Sequence, residues 1–154
     1  MDKRSLGGVS AVREFCTRVA ARWPDWRAAV ESAEAERTHD EVGPVSVELL
    51  LPAVEGPGLF IEVRAGEALV GLGDRGPERL FIWEDPAELD DALVEVMNLL
   101  SDIRSAEVVA AWERHRFLWK TWESAHFARA ADAFDQPRVI RVEAWGRPAA
   151  YRKP

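Results

Sequence analysis

The sequence predicts an α+β fold with an N-terminal helix, an antiparallel β-meander, one long central helix packed on the sheet, and C-terminal strands. Three observations predict it: apolar residues at helical spacing near the N-terminus, short strand-like segments separated by glycine and proline turns, and a helix start at Asp85-Pro86-Ala87-Glu88. A chain of 154 residues has the length of one domain. We therefore expect a single domain over residues 1–154, with poor order in residues 1–8 and 146–154.

The first predicted element is an amphipathic helix within residues 9–35. Proline disfavours a helical conformation in the residue before it, so we expect this helix to be kinked or interrupted near Pro24. Residues 31–41 are rich in glutamate, and we expect a helix end followed by a loop there. The apolar residues that recur at spacings of three and four are Val12, Phe15, Val19, Trp23 and Trp26.

Four strands are predicted next, at residues 45–53, 59–64, 67–72 and 80–83. The turns between them are short, which is typical of antiparallel hairpins. One turn, Gly71-Leu72-Gly73-Asp74-Arg75-Gly76, matches the glycine pattern of dinucleotide-binding loops. In those loops a helix follows the last glycine, whereas here another strand follows. We therefore interpret this segment as a hairpin loop.

The central helix begins with the best local signal in the chain. Asp85 stands at the N-cap, Pro86 at the first helical position and Glu88 at the third. An apolar stripe then continues to Ile103 at spacings typical of a helix. Because capping accounts for Asp85 and Glu88, we interpret the neighbouring carboxylates as a solvated helix face rather than as an acid/base pair or a calcium site.

Residues 106–123 have two interpretations, and we favour a hairpin only slightly over a helix. The hairpin would join strands at residues 108–113 and 118–123 through Arg114-His115-Arg116. The helix has good periodicity, but joined to the preceding one it would form an uninterrupted helix of 48 residues. A short helix at residues 125–134 and a strand at residues 138–145 complete the prediction.

The charge distribution limits the classes of partner. The net charge is −7, and residues 31–110 hold nineteen acidic groups against five basic ones. Such an acidic centre repels phosphate backbones and attracts basic proteins, so we expect a protein partner and no nucleic acid. No apolar run reaches the length of a membrane span, and one cysteine fits a reducing compartment. We expect a soluble, cytoplasmic protein of bacterial origin, since arginine far outnumbers lysine.

The sequence indicates no catalytic residue, no cofactor and no metal site. Its serines lack the glycine context of a nucleophile elbow. The consecutive residues His39-Asp40-Glu41 point in different directions, and nothing nearby completes a coordination shell. His115 and His126 lack the spacing of a zinc-binding helix.

The most unusual feature is a cluster of large aromatic residues among charges. Seven tryptophans occur in the chain, and three of them lie within residues 112–122. If this segment forms strands, Trp119 and Trp122 point to opposite faces, so at least one is a surface residue. Tryptophan beside arginine is typical of protein interfaces. The predicted partner-binding residues are Trp112, His115, Arg116, Trp119 and Trp122.

The helix-first meander, the acidic centre and these aromatics together resemble the small acidic immunity proteins that neutralise polymorphic bacterial toxins. The resemblance implies stoichiometric blocking of a cognate basic toxin without catalysis, and it transfers no binding residue. Two other hypotheses stay open. One is a small-ligand or enzymatic domain whose pocket contains Trp83, Trp112 and His115, with Glu84 as acid/base group. The other is a self-associating structural domain in which the tryptophans close a homodimer.

Overall fold

The computed structural model describes residues 3–37 and 44–153. The predicted α+β class and its helix–meander–helix–strand order are confirmed. Among the described residues, no helix is both long and apolar enough to cross a membrane. The helices are α1 (Lys3–Arg22), α2 (Arg27–Glu31) and α3 (Leu89–Arg104), with short 3-10 helices at Pro24–Trp26, Pro86–Glu88 and Ala130–Asp135. The strands are β1 (Glu34–Arg37), β2 (Pro44–Leu51), β3 (Leu59–Arg64), β4 (Glu67–Leu72), β5 (Glu78–Ile82), β6 (Val108–Phe117), β7 (Lys120–Arg129), β8 (Val139–Glu143) and β9 (Ala150–Tyr151).

The strands form two sheets. The first has five strands in the order β1-β2-β3-β4-β5, and the second has four in the order β7-β6-β8-β9. The chain divides into two compact units. The first contains Met1–Leu51, Phe60–Val70 and Arg79–Met97, and the second contains Pro52–Leu59, Gly71–Glu78 and Asn98–Pro154. The expectation of a single domain therefore stays a prediction.

The N-terminal helical region is interrupted near Pro24 as predicted, and it begins and ends earlier than predicted. α1 runs from Lys3 to Arg22, Pro24 opens a 3-10 helix, and α2 ends at Glu31. Trp23 and Trp26 are both buried, with ring centroids 4.8 Å apart. The predicted helix end and loop after residue 31 is wrong in part, because Glu34–Arg37 pairs antiparallel with β2. Pairing with a neighbouring strand, which local sequence does not show, prevails over the acidic composition here.

The meander is confirmed, with β1 as an additional fifth strand. In β3 buried and partly buried residues alternate, as expected for a sheet with one covered face. The glycine-containing loop is a hairpin loop, since β5 follows it and the Leu72 N–H donates to the Pro77 carbonyl. Gly73 has a φ of +80°, a conformation that glycine adopts at low cost.

α3 begins as the sequence predicts. The Asp85 carboxylate accepts a hydrogen bond from the Ala87 N–H at 2.9 Å, and the Glu88 carboxylate accepts one from the Asp85 N–H at 3.2 Å. Together they form a capping box, which uses both carboxylates structurally. The apolar stripe of α3 is buried at Leu93, Val96, Leu100 and Ile103.

The C-terminal region is a hairpin followed by two short strands. β6 and β7 are each ten residues long, so the predicted helix at residues 125–134 is wrong in its first half. Helical structure is limited to the 3-10 helix Ala130–Asp135. In the tail, β9 pairs with β8, and the Arg152 guanidinium donates to the carbonyls of Val139, Phe134 and Gln136 at 2.7 Å each.

Candidate protein-binding site

The β6–β7 hairpin is regular along its whole length. Val108 pairs with Arg129 at one end and Phe117 with Lys120 at the other, without a register shift. β8 pairs with β6 only up to Glu113. The last hydrogen bond that β6 makes on the side of β8 runs from the Arg114 N–H to the Arg138 carbonyl, at 3.2 Å. We call residues 114–123 the outer half of the hairpin, and residues 108–113 with 124–129 the base half. The outer half is a two-stranded ribbon.

The turn lies between Phe117 and Lys120, and not at Arg114-His115-Arg116 as predicted. It contains only Leu118 and Trp119. Leu118 has a φ of 54°, in the left-handed region that glycine and asparagine favour. A leucine at this position costs on the order of 1 kcal/mol relative to an unstrained residue. The sequence did not reveal this turn because neither residue is a common turn former.

The register places the predicted binding residues on different faces. Side chains alternate along each strand, so His115 and Trp122 share one face, whereas Trp112 and Arg116 lie on the other. Trp119 lies in the turn and belongs to neither strand. The expectation that Trp119 and Trp122 point to opposite faces of one strand is therefore wrong. A pocket that contains both Trp112 and His115 is also incompatible with this register.

Four large apolar side chains are exposed in the outer half. The exposed fraction is 66% for Phe117, 65% for Leu118, 82% for Trp119 and 49% for Trp122. The predicted exposure of at least one indole is thus observed. Phe117 and Leu118 complete this surface, and their contribution becomes visible only once the turn is located. We call these four residues the apolar tip.

Cationic groups surround the apolar tip. Arg116 and Lys120 flank the turn, and among residues 3–37 and 44–153 neither forms an ion pair. Arg114 is neutralised by Glu123, whose carboxylate oxygen lies 3.4 Å from the guanidinium. The net local charge is therefore positive, although the whole chain carries −7.

His115 is held in a small polar cluster below the tip. Its ring stacks on Trp122 with centroids 5.4 Å apart, and its Nε2 lies 2.7 Å from the Ser124 hydroxyl. A Glu113 carboxylate oxygen lies 3.7 Å from the same nitrogen. In a catalytic triad the carboxylate holds Nδ1 while the serine uses Nε2, so this geometry positions the histidine but does not activate the serine. The sequence missed Ser124 because only the strand register brings it to His115.

Trp112 contacts a side chain of the neighbouring strand β8. The Arg141 guanidinium lies 4.5 Å above its ring, within the range of a cation–π contact. Arg141 also contacts Glu143 at 2.8 Å and Glu123 at 3.7 Å. In the part of the chain that the structure describes, the Nε1 of this half-buried indole has no hydrogen-bond partner. We therefore separate Trp112 from the candidate binding residues.

Other parts of the described chain offer shallow depressions. The first unit has one of about 350 Å³ beside Leu50 and Phe60, and one of about 230 Å³ beside Glu62 and Leu80. Neither contains Trp83, which is buried. Within residues 3–37 and 44–153, no three His, Cys, Asp or Glu side chains come together as metal ligands. His39-Asp40-Glu41 lies outside the described residues.

His126 lies opposite Ala111 on the face that carries His115. Four residues of strand separate the two histidine rows, which corresponds to about 13 Å, so they do not form a joint metal site.

Comparison of the chain with protein-family models, with curated proteins and with solved structures found no significant match. The candidate site therefore consists of an exposed apolar tip, a stacked His115–Trp122 pair, and two cations that form no ion pair with any residue that the structure describes.

Proposed function

We propose that this chain is a non-catalytic protein-binding domain and that the outer half of the β6–β7 hairpin is its binding surface. The observation that carries the proposal is the contiguous exposure of Phe117, Leu118 and Trp119 at the turn, with Trp122 beside them. Aromatic and arginine side chains dominate the energy of protein interfaces. Large apolar residues clustered at an exposed turn indicate a surface that a partner covers.

The strained turn supports the same conclusion. A glycine or asparagine in place of Leu118 would suit the positive φ better, and neither would extend the apolar surface. A leucine at this position thus costs stability while it adds contact area. Backbone strain of this kind clusters at functional sites.

The charges of the hairpin specify the chemistry of the partner surface. With Arg116 and Lys120 unpaired, the complementary patch is apolar with acidic groups at its margin. This differs from the basic partner expected from the overall acidic charge. A protein can carry both features, because the local charges act at contact whereas the net charge acts at long range.

The test is a comparative capture from the source cell followed by a binding measurement. The parent chain is the bait, and the double variant Trp119→Ser with Trp122→Ser is compared with it. We expect a protein that the parent captures and the double variant does not, with affinity lowered at least about 30-fold by calorimetry, because hot-spot residues each contribute about 2 kcal/mol.

A matched control comes from the first unit. Ile82 is 67% exposed, between the exposed fractions of Trp122 and Trp119, so Ile82→Ser removes exposed apolar surface elsewhere. The control should bind like the parent. Equal capture by parent, double variant and control would show that the hairpin is not the binding surface.

Immunity against a basic toxin is a second candidate function. The exposed Leu50 and Leu80 lie on the meander, where Glu48 supplies negative charge beside Leu50, and Glu62 and Glu67 together exceed the charge of Arg64 by one beside Leu80. A basic partner would complement that surface. Co-expression with the product of a neighbouring gene tests this function: the chain should relieve its toxicity, and unrelieved or absent toxicity would contradict it.

A further inference from the structure

We propose that two copies of this chain associate through the free edge of β7 and form a continuous eight-stranded antiparallel sheet. This inference does not depend on the proposed function, because it concerns the backbone edge of β7 and not the apolar tip. β7 is the outermost strand of the four-stranded sheet and pairs with β6 on its other side.

The register identifies the backbone groups at this edge. A two-residue hairpin closes with a hydrogen-bonded pair, here Phe117 with Lys120, and hydrogen-bonded and non-hydrogen-bonded pairs then alternate. The Ala130 N–H bond to the Glu107 carbonyl at 2.9 Å agrees with this alternation. The backbone N–H and C=O groups of β7 that point away from β6 are the outward groups. In the described part of the chain, they have no hydrogen-bond partner. They belong to Thr121, Glu123, Ala125, Phe127 and Arg129.

The other three edge strands are at most half as long as β7. β1 has four residues and a register shift between Glu36 and Arg37, β5 has five residues, and β9 has only two. Bulges, prolines and short strands are the usual means of preventing edge-to-edge pairing. β7 is ten residues long and contains neither a proline nor a shift. Its edge is thus available for a further strand.

Charge complementarity favours a second copy as the added strand. Two antiparallel registers pair nine residues of β7 with the same nine residues of the second copy. One register is centred on Ser124 and the other on Ala125. Centring on Ser124 brings the two Glu123 side chains diagonally together, which is unfavourable. Centring on Ala125 instead brings each Glu123 diagonally beside Arg129 of the other copy.

No like charges lie directly opposite in the Ala125-centred register. Thr121 faces Arg129 of the second copy, and Glu123 faces Phe127. The Arg129 side chain is 62% exposed and meets Asp102 at 3.5 Å, so Glu123 would add a second carboxylate to an accessible guanidinium. A two-fold axis through such an edge gives a closed dimer, the commonest oligomer.

The dimer should be reversible. A contact one strand wide is smaller than the about 1,200 Å² typical of stable interfaces, so we expect dissociation on dilution in sedimentation equilibrium. The axis would direct the two turns to opposite ends of the joint sheet, leaving both apolar tips exposed. Substitution Trp119→Ser should therefore leave the dimer unchanged.

A crosslinking pair tests the register directly in a Cys16→Ser background, which removes the only native thiol. In the Ala125→Cys variant the two thiols face each other across the axis, with Cα atoms about 5.5 Å apart. In the matched Thr121→Cys variant the thiol lies on the same face of the sheet, but the thiols of the two copies lie about 27 Å apart. A short bis-maleimide should crosslink the first variant at least tenfold more than the second.

Equal crosslinking of both variants, or of neither, would overturn the proposal, as would a monomer at all accessible concentrations. A second variant, Ala125→Pro, removes an outward N–H without removing a bond to β6, since edge strands tolerate proline. It should abolish the dimer and retain the far-ultraviolet circular dichroism of the parent. A proline variant that folds and still dimerises would also contradict the β7 edge as the interface.

Discussion

The two halves of the β6–β7 hairpin share one hydrogen-bond ladder and one register, and they differ in what their side chains contact. In the base half, Val109 and Ala111 are buried with Ala133 and Val139 in an apolar cluster. In the outer half, Phe117 and Trp119 are exposed, although both are larger. The smaller side chains therefore stabilise the fold, whereas the larger ones remain available to a partner.

In this hairpin, residue type alone does not distinguish core residues from interface residues. Tryptophan occurs in both settings within eleven residues, since Trp112 lies under Arg141 and Trp122 is half exposed. The two tryptophans differ in whether a third strand lies beside the hairpin. β8 pairs with β6 at Trp112 and does not extend along the outer half. We therefore expect substitutions in the base half to have large effects on stability and those in the outer half to have small ones.

The largest contrast comes from placing one carboxylate in each half. Ala111 is fully buried, so Ala111→Asp should lower the free energy of unfolding by more than about 3 kcal/mol or prevent folding. Thr121 is exposed, and Thr121→Asp should change it by no more than about 0.5 kcal/mol. Urea denaturation measures both values. Similar losses at the two sites would remove the distinction between the halves.

Two tryptophan truncations sharpen the same contrast. Trp112→Ala removes a half-buried ring and its cation contact, and we expect a loss of about 3 kcal/mol in unfolding free energy. Trp122→Ala loses mainly the stack with His115, which corresponds to about 1 kcal/mol. Thermal and urea unfolding would compare them. The reverse order would mean that the outer half, and not Trp112, belongs to the folding core.

Leu118→Gly should change stability and binding in opposite directions. Glycine adopts the positive φ of this turn without a side-chain clash, so the unfolding free energy should rise by about 0.5–1 kcal/mol. Loss of the leucine side chain should weaken capture of the partner. Denaturation and capture together test the prediction, which fails if the variant is less stable than the parent.

The smallest effect is expected at the ion pair of the outer half. Glu123→Gln removes contacts to Arg114 and Arg141 at 3.4 and 3.7 Å, and the Arg114 side chain is 59% exposed. Solvent screens such pairs, so the loss should not exceed about 0.5 kcal/mol and should shrink in high salt. Unfolding at low and high sodium chloride provides the measurement. A larger, salt-independent loss would indicate a buried network.

Sequence reasoning succeeded where the determinants are local. The capping box at Asp85 and Glu88 and the glycine loop before β5 depend on neighbouring residues, and both are found. β1 was missed because its structure depends on pairing with β2, which composition does not show. The hairpin turn was misplaced because Leu118-Trp119 carries no turn signal.

The sequence indicated the residue types of the candidate site but not their arrangement. Trp119 and Trp122 are exposed in the outer half, and Arg116 lies in the same segment on the face opposite Trp122. The separation of Trp112 and the contact of His115 with Ser124 depend on a register that spans nine residues of sequence. A one-residue change of register would reverse both faces, so the sequence alone could not assign them.

Fluorescence quenching by ions of opposite charge measures whether Trp119 and Trp122 are exposed to solvent beside positive charge. Trp119 and Trp122 are exposed beside unpaired cations, whereas Trp23, Trp26 and Trp83 are buried. Relative to the quenching of free N-acetyltryptophanamide by the same ions, iodide should therefore quench the parent more than caesium does, although the whole chain is negative. The double variant Trp119→Phe with Trp122→Phe should lose that excess. An identical quenching profile in parent and variant would show that these indoles are not exposed in the isolated protein.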